Sequence, residues 1–314
     1  MQTQPRTLHR LEKIVVLFAL AAALTLMIGF AQAAGPAKNA AAARRADAHA
    51  EAIAQRLQRE HPDKVFLRSS VALVQDAASG ETILAKNSDA VLPIASITKL
   101  MSAIVLLDRN VDLAQRVAVS DEDQDALKGT RSRLRPGAVL TRDELLLLAL
   151  MASENRAAAA LARTYPGGTE AFVQAMNAKA QSLGMRDTQF SDPTGLSSAN
   201  VSSAQDLARL VQAAHEYPVI RKYSTSDSAT VYALGRPLAY RNTNGLVRSG
   251  RWEIGLSKTG FISEAGRCLV MRVRVASRDL VVVLLDSWGR YSRIGDANRI
   301  RKWLETAVIA RPAS

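Results

Sequence analysis

The chain has 314 residues, 48% of them hydrophobic, which places it among globular proteins with a sizeable core in one large domain or two small ones. Its formal net charge of +12, from 41 Lys and Arg against 29 Asp and Glu, makes a polyanionic surface a natural neighbour. Aromatics at 5%, scattered arginines and the lack of zinc-finger spacing argue against nucleic acid, and the lone Cys268 excludes an intrachain disulfide.

At the N-terminus, Arg6, Arg10 and Lys13 precede an uncharged run from Ile14 to Phe30, and Ala31-Gln32-Ala33 follows with the small-residue pattern of a cleavage site. Residues 1–33 therefore read as an export signal, with an uncleaved membrane anchor as the alternative. Either way the rest of the chain is expected outside the cytoplasm. Residues 34–62 form an Ala-rich linker and a lead-in helix over Ala48–Glu60, with Ile53 and Leu57 four apart, stopped by His61-Pro62-Asp63. The main domain is expected over 63–314. It opens with short strands at Ser70–Val74 and Thr82–Ala85, joined by Ala78-Ser79-Gly80 in a hairpin.

Helices follow. From Ser96 onward, Leu100, Ile104 and Leu107 recur at helical spacing while Ile97, Met101 and Val105 widen the stripe, the pattern of a buried helix. Thr141 to Glu144 has capping-box form and leads a Leu-rich helix to Met151. Further helices are expected over Thr169–Leu183, closed by Gly184, and over Ser203–Ala214. Strands return at Gly255–Phe261, Cys268–Val275 and Leu280–Leu285, the last two joined by a turn at Ser277-Arg278-Asp279, before a final helix from Ile294 to Val308. Strands at both ends with helices between predict an α+β fold, an antiparallel sheet assembled from the two termini, flanked by helices and carrying a helical subdomain.

Three short words carry the chemistry: Ser96-Ile97-Thr98-Lys99, Ser153-Glu154-Asn155 and Lys258-Thr259-Gly260. A serine hydroxyl is a poor nucleophile until a base takes its proton, and a lysine serves as that base only when burial or a nearby cation lowers its pKa. Ser96 and Lys99, three apart on a helix, share a face. Read singly, Ser96 and Ser153 are ordinary helix caps and Lys258 to Gly260 is a strand-end turn. Two features weigh against that. Of the ten lysines only Lys99 follows a serine at this spacing, and its surroundings are apolar. Lys258 is a second cation able to depress Lys99 and to hold a substrate anion, and Gly260 lets a ligand backbone approach.

In their order and spacing the three words resemble the penicillin-binding D,D-peptidases of the serine D-Ala-D-Ala carboxypeptidase type, most closely the penicillin-binding protein 7 group of D-alanyl-D-alanine endopeptidases. The likeness runs from about Phe66 to Leu304 and takes in Leu92–Ser96, Asp192–Leu196, Asn242-Thr243-Asn244 and Ala265–Cys268. It implies a β-lactamase/transpeptidase-like fold and an acyl-enzyme mechanism. Ser96 is then the nucleophile and Lys99 its base. Ser153 and Lys258 relay the proton to the leaving amine, and Asn155 holds the acyl amide. The N–H groups of Ser96 and Phe261 form the oxyanion hole, while Thr259, beside Gly260, and Arg267 meet a substrate carboxylate. The implied partners are peptidoglycan peptides and, as covalent inhibitors, β-lactams.

No Glu-x-x-Leu-Asn string of a class A β-lactamase, no Gly-x-Ser-x-Gly elbow and no His-Glu-x-x-His occurs, so neither cofactor nor metal is called for. The chain ends a few residues past its last helix, without the second β-domain and C-terminal anchor of many carboxypeptidases, which favours cleavage of cross-links. Trimming of pentapeptides and a non-hydrolysing penicillin sensor or wall-binding module are the alternatives.

Overall fold

The computed structural model describes residues 65–309, together with helical positions at 44–45, 47–49 and 52–53. The export signal, the linker and most of the lead-in helix lie outside the described residues.

The central sheet has five antiparallel strands in the order β2-β1-β11-β10-β9. They are β1 (Ser69–Asp76), β2 (Thr82–Lys86), β9 (Glu253–Ile262), β10 (Gly266–Val275) and β11 (Arg278–Ser287). The sheet is thus assembled from both ends of the domain, as expected, with the β1–β11 pair as the seam. Its strands are apolar on both sides because both faces are covered. Alternate residues part company: Val71 and Leu73 join the large core beneath the helices, while Ala72 and Val74 join a smaller core with Ala297, Ile300 and Leu304. Those last three belong to the C-terminal helix α8 (Ser292–Ile309).

The turn between β10 and β11 differs from the reading of the sequence. It is the two-residue Ala276-Ser277, with φ of 49° and 64°. Arg278 and Asp279 belong to β11, paired with Val275 and Arg274. A two-residue loop with both φ positive matches the twist of its flanking strands. Arg278 is held in the sheet by its bonds to Asp76 and Glu81.

The other face carries the helical layer: α1 (Thr98–Asp108), α2 (Arg142–Met151), α3 (Asn155–Arg163), α4 (Gly168–Ser182), α5 (Ala204–His215) and α6 (Pro218–Ser224), with a one-turn helix α7 at Gly245–Arg248. The first is buried from Thr98 through Leu106, as its nearly all-round apolar pattern demands. The Thr141–Glu144 capping box forms as read, and Ser203 caps α5. Three small antiparallel pairs, unread in the sequence, staple loops together: β3 (Leu92–Pro93) with β6 (Val201–Ser202), β4 (Arg116–Ala118) with β5 (Val139–Thr141), and the hairpin β7 (Ser228–Ala233) with β8 (Arg236–Arg241). Their short strands and exposed alternate residues leave little periodicity to detect.

Candidate active site

Three elements meet at the site: the start of α1, the α2–α3 break and the edge strand β9. Ser96 does not open α1. It lies in a 3₁₀ turn, Ala95–Ile97, and the α-helix begins at Thr98. Ala95, at φ 47°, lies in the left-handed region, which no helix can pass through. Ser96 caps nothing. Its hydroxyl instead lies 2.9 Å from the Lys99 Nζ.

A single loop builds this corner. Asn200, fully buried, donates to the Thr98 hydroxyl and the Asp192 carbonyl, and its own side-chain oxygen accepts from Ser191 and Asp192. The Asp192 carboxylate in turn gathers the N–H groups of Thr194, Gly195 and Ser197. The loop is thereby pressed so close to the nucleophile turn that a Cβ on Gly195 would stand 2.0 Å from the Ala95 carbonyl oxygen. Its product is the Thr194 carbonyl, 2.5 Å from the Lys99 amine.

Lys99 is 1% exposed, and burial drives its pKa down to about 7 even though the Asp192 and Glu154 carboxylates pull the other way. Its three neighbours settle how the neutral amine is oriented. The Thr194 carbonyl and the Asn155 Oδ1, at 2.8 Å, can only accept. A neutral amine has two N–H groups and one lone pair. Both N–H groups are used on those acceptors, so the lone pair faces the Ser96 hydroxyl, the arrangement that takes its proton. The Asn155 amide is fixed from behind by donation from its Nδ2 to the Thr130 hydroxyl.

A second serine–lysine pair stands alongside. Lys258 Nζ is 2.8 Å from the Ser153 hydroxyl and 3.0 Å from the Thr259 carbonyl. Burial, the Lys99 charge and Arg293 hold its pKa well below the usual lysine range. Ser153 is not a cap either: Glu154 caps α3 through the Arg156 N–H, and Ser153 occupies the left-handed region at φ 59°. Two non-glycine residues in that region, each next to or within a serine–lysine pair, are the kind of strain found at functional sites.

Lys258, Thr259 and Gly260 lie inside β9, not at a strand-end turn. Gly260 lets this edge strand run against the nucleophile turn, since a Cβ there would meet the Ile94 carbonyl at 2.8 Å and the Ser96 nitrogen at 3.2 Å. The Gly260–Phe261 backbone therefore passes the N–H of Ser96. Thr259 shares a 2.6 Å hydroxyl bond with Thr243, whose loop is tied to the end of α2 through the Met151 carbonyl. Phe261 and Arg267 face each other across β9 and β10 at the rim, the guanidinium 4.6 Å from the ring centroid and the ring exposed. Arg267 is thus half-buried against Phe261, neither free in water nor in contact with the lysine pairs.

The sequence reading missed Thr130, Asn200 and Arg293. The last donates to the Gly260 and Cys268 carbonyls at 2.9 and 3.1 Å, bracing β9 on β10, with its pKa lowered to about 10 by burial and Arg267. Asn200 follows the Asp192–Leu196 stretch by four residues, the one signal that could have found it. Thr130 and Arg293 have none. Among the described residues, no cluster of His, Cys, Asp and Glu could hold a metal ion.

Two serine–lysine pairs joined at the edge of an antiparallel sheet, under a helical layer, define a serine peptidase of the β-lactamase-like fold. Similar solved structures include the Streptomyces K15 DD-transpeptidase, at TM-score 0.71 and 26% identity over 76% of this chain and 98% of that one. A D-alanyl-D-alanine carboxypeptidase from Mycobacterium tuberculosis superposes at TM-score 0.70 and 26% identity, over 79% of this chain and 94% of that one. Residues 57–288 match the D-alanyl-D-alanine carboxypeptidase family model, and the chain belongs to that family. Relatives named D-alanyl-D-alanine endopeptidase are 48% identical in Pseudomonas aeruginosa, over 79% of this chain and 81% of theirs, and 46% identical in Escherichia coli, over 77% and 79%.

Proposed function

We propose that the protein is a serine D,D-peptidase of peptidoglycan that opens D-alanyl cross-links through an acyl-enzyme. The observation that carries this reading is the Lys99 amine, whose two acceptor neighbours leave its lone pair facing the Ser96 hydroxyl at 2.9 Å. Lys99 takes that proton as Ser96 Oγ attacks the D-alanyl carbonyl. The N–H groups of Ser96 and Phe261 receive the oxyanion, each such donor worth about 3 kcal/mol. Lys258 and Ser153, 2.8 Å apart, pass a proton to the departing amine. Asn155 orients the acyl amide, and Thr259 and Arg267 meet a substrate carboxylate from β9 and the rim. Water entering over Lys99 releases the acyl group and restores Ser96.

Endopeptidase action is favoured by the two relatives of that name at 48% and 46% identity. The family and relatives at 30% identity named carboxypeptidases support trimming of pentapeptides as the second reading. β-Lactams would acylate Ser96. The signal-like N-terminus supports an extracytoplasmic place of work, where peptidoglycan is found. Among the described residues, no helix is long and apolar enough to cross a membrane.

Purified protein incubated with a labelled penicillin, with cross-linked muropeptide dimers and with monomeric pentapeptide tests the proposal. Acylation lost in Ser96→Ala, with dimers converted to monomers, is expected. An unlabelled wild type removes the acyl-enzyme, and release of D-Ala with dimers intact removes the endopeptidase reading.

A further inference from the structure

The α2–α3 break that carries Ser153 also forms a wall of a second cleft, of about 450 Å³, a volume in the range of small-ligand sites. Loop 131–133 and strand β8 supply its other walls. The charged groups lining it are Arg131, Arg133, Arg241 and Glu154. Glu154 is engaged as the cap of α3. Arg133 is fixed in place, 3.9 Å above the Tyr240 ring and bonded to the Ala239 carbonyl. Arg131 and Arg241 are exposed and have no acidic partner among the described residues.

Tyr240 adds a second, independent observation. It lines the cleft, is 2% exposed, and its hydroxyl has no hydrogen-bond partner. A buried hydroxyl without a partner is destabilising, and it is relieved when a ligand supplies the missing acceptor. Three guanidinium groups against one engaged carboxylate select an anion, and a carboxylate matches the planar fork of arginine.

We propose that this cleft is a carboxylate subsite for the strand whose amine departs, so that the enzyme prefers cross-links in which that strand carries a free carboxylate. The inference rests on the D,D-peptidase reading, because the departing amine is protonated at Ser153, and Ser153 lines the cleft. Arg131, Arg133 and Arg241 act on this carboxylate, distinct from the one met by Thr259 on β9. Arg133 and the Tyr240 hydroxyl form the fixed floor, and the two exposed arginines close over it.

Three synthetic cross-linked dimers test this: one with free carboxylates, one amidated on the departing strand and one amidated on the acyl strand. KM should rise at least tenfold for the second and less than twofold for the third, with kcat little changed. In an Arg131→Gln/Arg241→Gln double variant the first two dimers should converge on one KM. Tyr240→Phe, which deletes only an unpartnered hydroxyl, should raise KM about threefold for the free-carboxylate dimer and leave the departing-strand amide unmoved. Equal KM for the first two dimers in the wild type, or an effect confined to acyl-strand amidation, overturns the subsite. Penicillin labelling separates the two failures: a labelled enzyme indifferent to amidation loses only the subsite, whereas an unlabelled wild type loses the D,D-peptidase reading itself.

Discussion

The most exposed consequence of the geometry is the pH dependence of acylation. Lys99 must be neutral to accept the Ser96 proton, and burial lowers its pKa from 10.5 to about 7. At pH 7 about half of the molecules then carry the base in its working form, against roughly one in 3,000 for an ordinary lysine, a gain of about a thousandfold. The sign follows directly. As pH falls through 7 the amine gains a proton, the lone pair is lost and acylation falls about tenfold for each further pH step. Above pH 8 the rate levels off, since the base is already neutral. The assay is the second-order rate of labelling by a fluorescent penicillin between pH 5 and 9, at fixed ionic strength, with Lys99→Arg alongside. Arginine keeps its proton throughout this range, so the variant should lose at least about 10⁴-fold at every pH. A flat wild-type profile from pH 5 to 9, or one still climbing at pH 9, would refute a buried amine near neutrality as the base. Comparable labelling of Lys99→Arg would refute Lys99 in that role.

Three other expectations concern how the site is built. Gly260→Ala places a methyl 2.8 Å from the Ile94 carbonyl and forces β9 away from Ser96, so acylation should drop at least about tenfold while the melting temperature falls by only a few degrees; wild-type labelling kinetics would show that the close approach is dispensable. Gly195→Ala is harsher, because its methyl would stand 2.0 Å from a backbone oxygen at a φ of 81°; thermal unfolding should report a loss of at least about 3 kcal/mol, and a change under about 1 kcal/mol would contradict the close packing of that loop. Asp296, buried on α8, accepts from the N–H groups of Arg68 and Ser69 at 3.0 and 2.7 Å and from the Ser69 hydroxyl at 2.5 Å, and pairs with Arg299. Asp296→Ala should therefore cost about 3–5 kcal/mol in denaturant melts with the labelling rate of the folded fraction unchanged; a slowed rate would mean that this brace reaches the active site.

Much of the architecture was legible because burial writes a periodicity. The all-round apolar stripe of α1, the capping box at Thr141 and the apolar runs of β9, β10 and β11 each reflect one element and its immediate neighbours. The small pairs β3–β6, β4–β5 and β7–β8 were not legible, since short strands bury too few residues to leave a pattern. The turn at Ala276-Ser277 was misplaced by two residues because neither residue is a customary turn former, and the left-handed φ of both is imposed by the register of the flanking strands. Serine caps were the ordinary reading of Ser96 and Ser153, yet neither caps a helix. Ala95 and Ser153 are held in left-handed conformations by tertiary contacts, and both hydroxyls turn to lysines.

By itself the sequence determined which residue types are available for the chemistry and in what order: a serine three before a lysine, a second serine with its asparagine, a second lysine before a glycine. Only the tertiary structure decided that they act as one site. Lys99 becomes a base through the depth of its burial and through a carbonyl at Thr194, ninety-five residues away in the chain. Lys258 reaches Ser153 across a separation of 105 residues. A pKa depends on the solvent and charges around a group once the chain has closed over it, and a lone pair points where its other neighbours leave room. Both are properties of distances between remote segments, which no local spacing encodes.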